Sequence, residues 1–207
     1  MHLAGWPCEM EAIKNLAREK GIFIVEDCAQ AHGATFDGKS VGSWGDIAAW
    51  SFCQDKIMTT GGEGGMVTTN NDALFETMWS YKDHGKNRQK MNNPPGNRRF
   101  KYVHDKFGSN FRLTEMQSAI GVYQLAKLDS WKQQRTDNSM AYQESLSDIA
   151  LVRSESTPKN IEHAYYKYYF FLKPDELASG WDRDRIVEEV NDLGGSCFSG
   201  SLSLIHI

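Results

Sequence analysis

The chain has 207 residues, 40% of them hydrophobic and 24% charged, with a formal charge of −4 at pH 7. That is enough for one domain, or one and part of a second, around a sizeable core, and the acidic balance argues against a general nucleic-acid or anionic-membrane binder. The cysteines Cys8, Cys28, Cys53 and Cys197 lack metal-ligand spacing, no apolar run approaches ~18 residues and no leader-like pattern opens the chain, so a cytoplasmic protein with reduced thiols, no metal and no membrane span is expected.

Met1 to Pro7 reads like the end of a strand and a turn rather than a natural beginning, so an N-terminal truncation is expected. From Glu9 to Lys20 the apolar residues Met10, Ile13, Leu16 and Ala17 fall at helical spacing and Gly21 supplies a stop. Gly21 to Val25 is a continuous apolar run of the kind that forms a buried parallel strand, and it leads into Glu26 and Asp27. Functional acids often sit at the carboxyl end of such strands. Thr35 to Asp46, with three glycines, reads as a hairpin-like connection, and Ile47 to Phe52 as the next strand. Lys56 then lies between two short apolar runs and ahead of Gly61, Gly62, Gly64 and Gly65, a poor helix but a good tight loop before a strand at Met66 to Thr69. A lone lysine there is most often a solvated one. Pyridoxal phosphate, however, needs an aldehyde-capturing lysine and a carboxylate against its ring nitrogen, and Lys56 and Asp27 meet both demands.

Asn71 to Ser80 reads as a helix whose Leu74, Phe75, Met78 and Trp79 pack into the core. Tyr81 to Lys106 is rich in lysine and arginine, among them Lys86, Arg88, Arg98, Arg99 and Lys101, and is broken by a hinge over 92–97; it reads as a flexible basic loop. Thr114 and Gln117 have capping-box spacing at the start of a long helix, with one break, that runs towards Ile149. Past Leu151 the sequence turns to a polar linker, an aromatic strand-like stretch from His163 to Leu172, and a helix from Asp182 to Leu193 closed by Gly194-Gly195.

Several of these stretches stand in a distinctive order. Glu26-Asp27-Cys28-Ala29-Gln30-Ala31-His32-Gly33-Ala34 is followed by Gly42-Ser43-Trp44-Gly45-Asp46 and by Ser51-Phe52, with Lys56 five residues after the serine. Thr60-Gly61-Gly62-Glu63-Gly64-Gly65-Met66 and Gly108-Ser109-Asn110-Phe111-Arg112-Leu113-Thr114-Glu115-Met116-Gln117-Ser118-Ala119 complete the series. Together they resemble the DegT/DnrJ/EryC1/StrS family of pyridoxal-phosphate-dependent sugar aminotransferases, over roughly two thirds of the chain, and several ordered motifs are far more specific than one.

The resemblance implies an α/β fold: part of an aspartate aminotransferase-like (fold type I) large domain over 1–150, then the beginning of a small α+β C-terminal domain over 151–207. It implies pyridoxal 5'-phosphate as cofactor, with Lys56 carrying the aldehyde carbon and later moving the proton between Cα and C4′. Asp27 pairs with the ring nitrogen, Ala29 lies beneath the ring, Gln30 contacts it and Ser51 binds the phosphate. Asn110 reaches the partner subunit's cofactor phosphate, which implies a homodimer with shared sites. His32, Lys86 and Arg88 are candidate substrate contacts, since guanidinium and ammonium groups match the phosphates of a nucleotide-linked keto-sugar. The amino donor implied is an amino acid, with glutamate first, and the pathway is sugar biosynthesis for cell-surface polysaccharide or secondary metabolites.

Lys56 argues against the related sugar dehydratases, in which histidine replaces it. The glycine cluster lacks the Gly-Lys-Ser/Thr of a phosphate loop, and no Gly-x-Gly-x-x-Gly joins a strand to a helix, so NTPase and Rossmann dehydrogenase readings fail. A non-catalytic fragment, or a regulatory or interaction protein on the same scaffold, stays open. The upstream phosphate-binding turn, the aromatic residue stacking on the cofactor and most of the small domain are missing, and Ser201 to Ile207 departs from the pattern like an appended tail.

Overall fold

A computed structural model describes residues 1–93 and 102–200. The proline part of the expected hinge, Arg98, Arg99 and Lys101, and the Ser201 to Ile207 tail lie outside the described residues. A single 3-10 turn, Leu3–Gly5, precedes helix α1, Met10–Lys20, which stops at Gly21 as its sequence predicts. Met10 and Ala17 face the interior, whereas Leu16 is exposed.

Strand β1 is Val25–Asp27. Strands β2, Thr35–Phe36, and β3, Lys39–Ser40, form the expected hairpin. Its turn residues Asp37 and Gly38 both have positive φ, 48° and 70°, the conformation that matches a two-residue connection to the right-handed strand twist. Strand β4, Ile47–Ser51, lies parallel to β1 with Asp27 opposite Ala49, and strand β5, Gly65–Thr68, runs antiparallel to β4 with Gly65 opposite Ser51. The sheet order is β1-β4-β5. The apolar run before Asp27 is therefore not the buried strand expected: β1 starts only at Val25, and Ile22, Phe23 and Val25 are exposed. Among the described residues β1 is an edge strand, so nothing covers this run.

Helices α2, Asp72–Lys82, and α3, Arg88–Asn92, are each capped by an asparagine side chain, Asn71 and Asn87. Leu74, Met78 and Trp79 of α2 are half-buried and Phe75 is exposed, so this helix lies on the surface of the core rather than within it. The basic stretch after α2 is not a loose loop over its described part. It contains α3, and backbone bridges pair Lys86 with His104 and Asp83 with Asn110. Helix α4, Glu115–Leu125, opens on the complete Thr114/Gln117 capping box, and helix α5, Leu128–Leu146, follows after the expected break.

Strands β6, Val152–Arg153, and β8, Phe171–Leu172, pair with each other, while β7, Ile161–Glu162, adds to the β3-β2 hairpin. Helix α6, Arg183–Asp192, is capped by Asp182. Segment 161–167 returns to the first residues of the chain: the Ala164 N–H donates to the Gly5 carbonyl at 3.0 Å and the Lys167 N–H to that of Ala4 at 3.3 Å. Ala164 and Tyr166 share a core with Cys28, Ala31, Ala34, Val41, Ala48 and Ile57. Backbone bonds and core packing thus cross position 150.

One buried carboxylate orders the region behind the sheet. Glu26 accepts the backbone N–H groups of Gly42, Trp44 and Gly45 at 2.7, 2.8 and 2.6 Å, and its fourth partner is His2 Nε2 at 3.1 Å. The Cys8 N–H donates to His2 Nδ1 at 3.0 Å, which places the imidazole proton on Nε2, facing Glu26. Burial works against the Glu26 charge, but His2 and the three amides outweigh it and hold the carboxyl below its usual range.

Candidate active site

The parallel pairing of β1 and β4 ends both strands side by side, so that Asp27 on one and Ser51 on the other emerge at the same edge. Asp27 Oδ1 accepts the Ala29 N–H at 3.0 Å, and Oδ2 has no hydrogen-bond partner among the described residues. Gln30 is buried, its Oε1 taken by the Ala4 N–H at 2.7 Å. Ser51 Oγ accepts the Cys53 N–H at 3.3 Å and so shapes the turn that carries Lys56. His32 is buried against the rings of Trp50 and Phe52, and neither ring nitrogen has a hydrogen-bond partner. Burial pushes its pKa down to about 4, the Ser51 backbone opposing only in part, and it is neutral near pH 7.

Lys56 leaves the loop after β4. The loop is closed at its base by Phe52 N–H to the Gly64 carbonyl at 2.8 Å and Thr60 N–H to the Phe52 carbonyl at 3.2 Å. Gly64 is required there, because a Cβ would come within 2.2 Å of Thr60 Oγ1. From α4, Gln117 Nε2 donates to the Glu63 carbonyl at 2.7 Å, so the side chain that completes the helix cap also pins the glycine loop.

The Lys56 amine is largely enclosed, donating to Tyr166 Oη at 3.3 Å and lying 3.4 Å from Asp55 Oδ1. Tyr166 in turn donates to Asp55 Oδ2 at 2.5 Å. Burial works against the Lys56 charge, but Tyr166 and Asp55 outweigh it and hold the amine above its ordinary range. The Tyr166 hydrogen bond is the main cause that takes Asp55 down to about 2. Tyr166 and Asp55 were missed from sequence. Asp55 had a signal, being next to Lys56, but Tyr166 is 110 residues away and has none, since only the β7 segment folding back joins them.

The remaining candidates form a second group. Asn110 is bridged to Asp83 and accepts Arg112 Nε at 2.9 Å. Lys86 pairs with the buried Asp83 at 2.9 Å and Arg88 with Glu76 at 2.6 Å. Among the described residues no hydrogen bond or ion pair joins these three to the Lys56 cluster.

The donor set fits pyridoxal phosphate. A carboxylate oxygen free at a strand end, an enclosed lysine amine, a hydroxyl and an unpartnered buried imidazole stand on adjacent strand ends and the turn after them, with the small Ala29 beside Asp27.

The arrangement is part of the large domain of a fold type I pyridoxal-phosphate aminotransferase, and solved structures of that class superimpose on it. An aminotransferase from Psychrobacter cryohalolentis matches with a TM-score of 0.89 and 48% identity, over 96% of this chain and 52% of that one. Residues 1–195 match the DegT/DnrJ/EryC1/StrS aminotransferase family, and the chain belongs to it. Two relatives are GDP-perosamine synthase of Escherichia coli O157:H7, 36% identical over 80% of this chain, and dTDP-3-amino-3,4,6-trideoxy-alpha-D-glucose transaminase of Streptomyces venezuelae, 37% identical over 88%. The chain covers 42% and 45% of their lengths, a little under half.

Proposed function

We propose that this chain carries the lysine half of a pyridoxal-phosphate-dependent sugar aminotransferase, which moves an amino group from an amino acid, glutamate first, to a nucleotide-linked keto-sugar. The observation that carries this is the Lys56 amine held in the turn after β4, while Asp27 ends the parallel neighbour of that strand. The names of both relatives above carry a nucleotide, GDP or dTDP, which supports the nucleotide-linked substrate.

When bound, the cofactor supplies an aldehyde and an electron-withdrawing ring that together hold the migrating amino group and its electrons. The chain's residues do the rest. Asp27 keeps a proton on the ring nitrogen, because an adjacent carboxylate stabilises the cationic form. Ser51 offers a hydroxyl to the phosphate, and Lys56 offers first its amine and then a base for the proton. Neutral His32 is a hydrogen-bonding group without a competing charge. We assign Asn110 to the partner subunit's site in a homodimer. The four cysteines are free thiols and no helix among the described residues is long and apolar enough to cross a membrane; both facts support a cytoplasmic placement.

Borohydride reduction of the chain with pyridoxal phosphate, followed by peptide mapping, tests the reading. The adduct is expected on Lys56, absent in Lys56→Ala and weakened in Asp27→Ala. Label scattered over surface lysines would instead favour a non-catalytic scaffold.

A further inference from the structure

The three side chains around Lys56 form a closed ring. Tyr166 donates to one oxygen of Asp55 at 2.5 Å and accepts from Lys56 at 3.3 Å, while the other Asp55 oxygen lies 3.4 Å from the same amine. The ring has a rigid side and an open side. Tyr166 is buried in the main core with Cys28, Ala31 and Ile57, whereas the Asp55 side chain is half exposed. A phenol pinned in a core can locate an amine far better than a flexible surface carboxylate can.

We propose that Tyr166 and Asp55 are positioning residues, which aim the Lys56 amine and decide when it becomes a nucleophile. This rests on reading Lys56 as the cofactor lysine. An ammonium cannot attack a carbonyl carbon, so a clamp that favours the charged form keeps Lys56 unreactive towards stray carbonyls and releases it when the proton leaves to solvent. The ring supplies that bias. The carboxylate balances the ammonium, and the phenol, itself pushed up by burial and by Asp55, stays protonated and spends its hydrogen on Asp55. Its oxygen is left to accept from Lys56. Other charges near the ring are few. Lys167 lies over the outer face of the Tyr166 ring at 4.9 Å, Arg135 donates to the neighbouring Tyr165 carbonyl, and His32 is buried and neutral. None of them is an acid; Glu63 of the same loop accepts from the Cys53 thiol at 3.2 Å, and Tyr166 and Asp55 are the groups that touch the amine and favour its charge.

The test needs no cofactor. The reactivity of Lys56 towards trace acetic anhydride, read by peptide mass spectrometry from pH 7 to 12, reports the fraction of free amine in the intact chain. In Tyr166→Phe and Asp55→Asn the midpoint is expected to fall, making Lys56 about tenfold more reactive at pH 9, one pKa unit being a factor of ten. Asp55→Glu restores the wild-type profile, which a role in packing alone would not produce. Asp55→Asn, at a half-exposed side chain, keeps the test sound if loss of the phenol disturbs the core. Unchanged midpoints in both variants would overturn the proposal. Because acylation is independent of pyridoxal phosphate, that result is distinct from failure of the borohydride label to settle on Lys56, which would sink the functional reading instead.

Discussion

At the scale of single residues, two acid–base groupings divide the work: buried Glu26 holds the backbone, and half-exposed Asp55 holds the amine of Lys56. Replacing Glu26 by alanine orphans three amides and the His2 imidazole, and since each unsatisfied buried group costs about 1–3 kcal/mol, a loss of at least ~3 kcal/mol is expected in urea unfolding. The same residue sets a pH dependence. As the pH falls the unfolded chain takes up the proton first, near the ordinary glutamate value of about 4.3, while folded Glu26 resists it. Its stabilisation is therefore full above that pH and is lost as the pH drops through the lower folded value. Unfolding midpoints between pH 3 and 7 should show a steeper fall for wild type than for Glu26→Gln. Glu26 was legible only as part of a motif, because its partners, at positions 2 and 42–45, are set by the fold. Asp27, Ser51 and Lys56 stand out in the sequence because their types and spacing match the demands of the cofactor proposed above.

At the scale of elements, the Thr114/Gln117 cap and the Gly21 stop were read correctly because such signals are local, and the other caps and the hairpin turn are local in the same way. Asn71, Thr114, Asp182 and the Asp37-Gly38 turn all lie within three residues of what they organise. Thr114→Ala should cost about 1 kcal/mol of stability, the usual value of an N-cap. Gln117→Ala should cost more and also loosen the glycine loop, because it removes the bond to the Glu63 carbonyl; faster hydrogen exchange at Gly61 to Gly65 would record it. Where local signals misled, tertiary context was the reason. The apolar run at Ile22 to Val25 predicts burial only if something packs on it, and β1 is an edge among the described residues. The basic stretch after α2 looked loose because β-bridges between distant residues leave no periodic trace.

At the scale of the whole molecule, the surface carries much apolar area. Phe23, Val25, Met116, Val122 and Tyr123 are all at least 65% exposed, and burying each such side chain is worth about 1.5–3 kcal/mol. Self-association is the expected outcome, with α4 as the contact. Sedimentation across a hundredfold range of concentration should show a larger species in wild type and at least about tenfold weaker association in Met116→Glu/Val122→Glu. By itself the sequence determined the family, the stop of α1 at Gly21 and the capped start of α4, since each depends on residue type at short spacing. Only the tertiary structure decided that Tyr166 and Asp55 close around Lys56, that His2 and Glu26 meet, and that Lys86 and Arg88 are already paired. Those contacts join residues whose separation along the chain is unrelated to their separation in space.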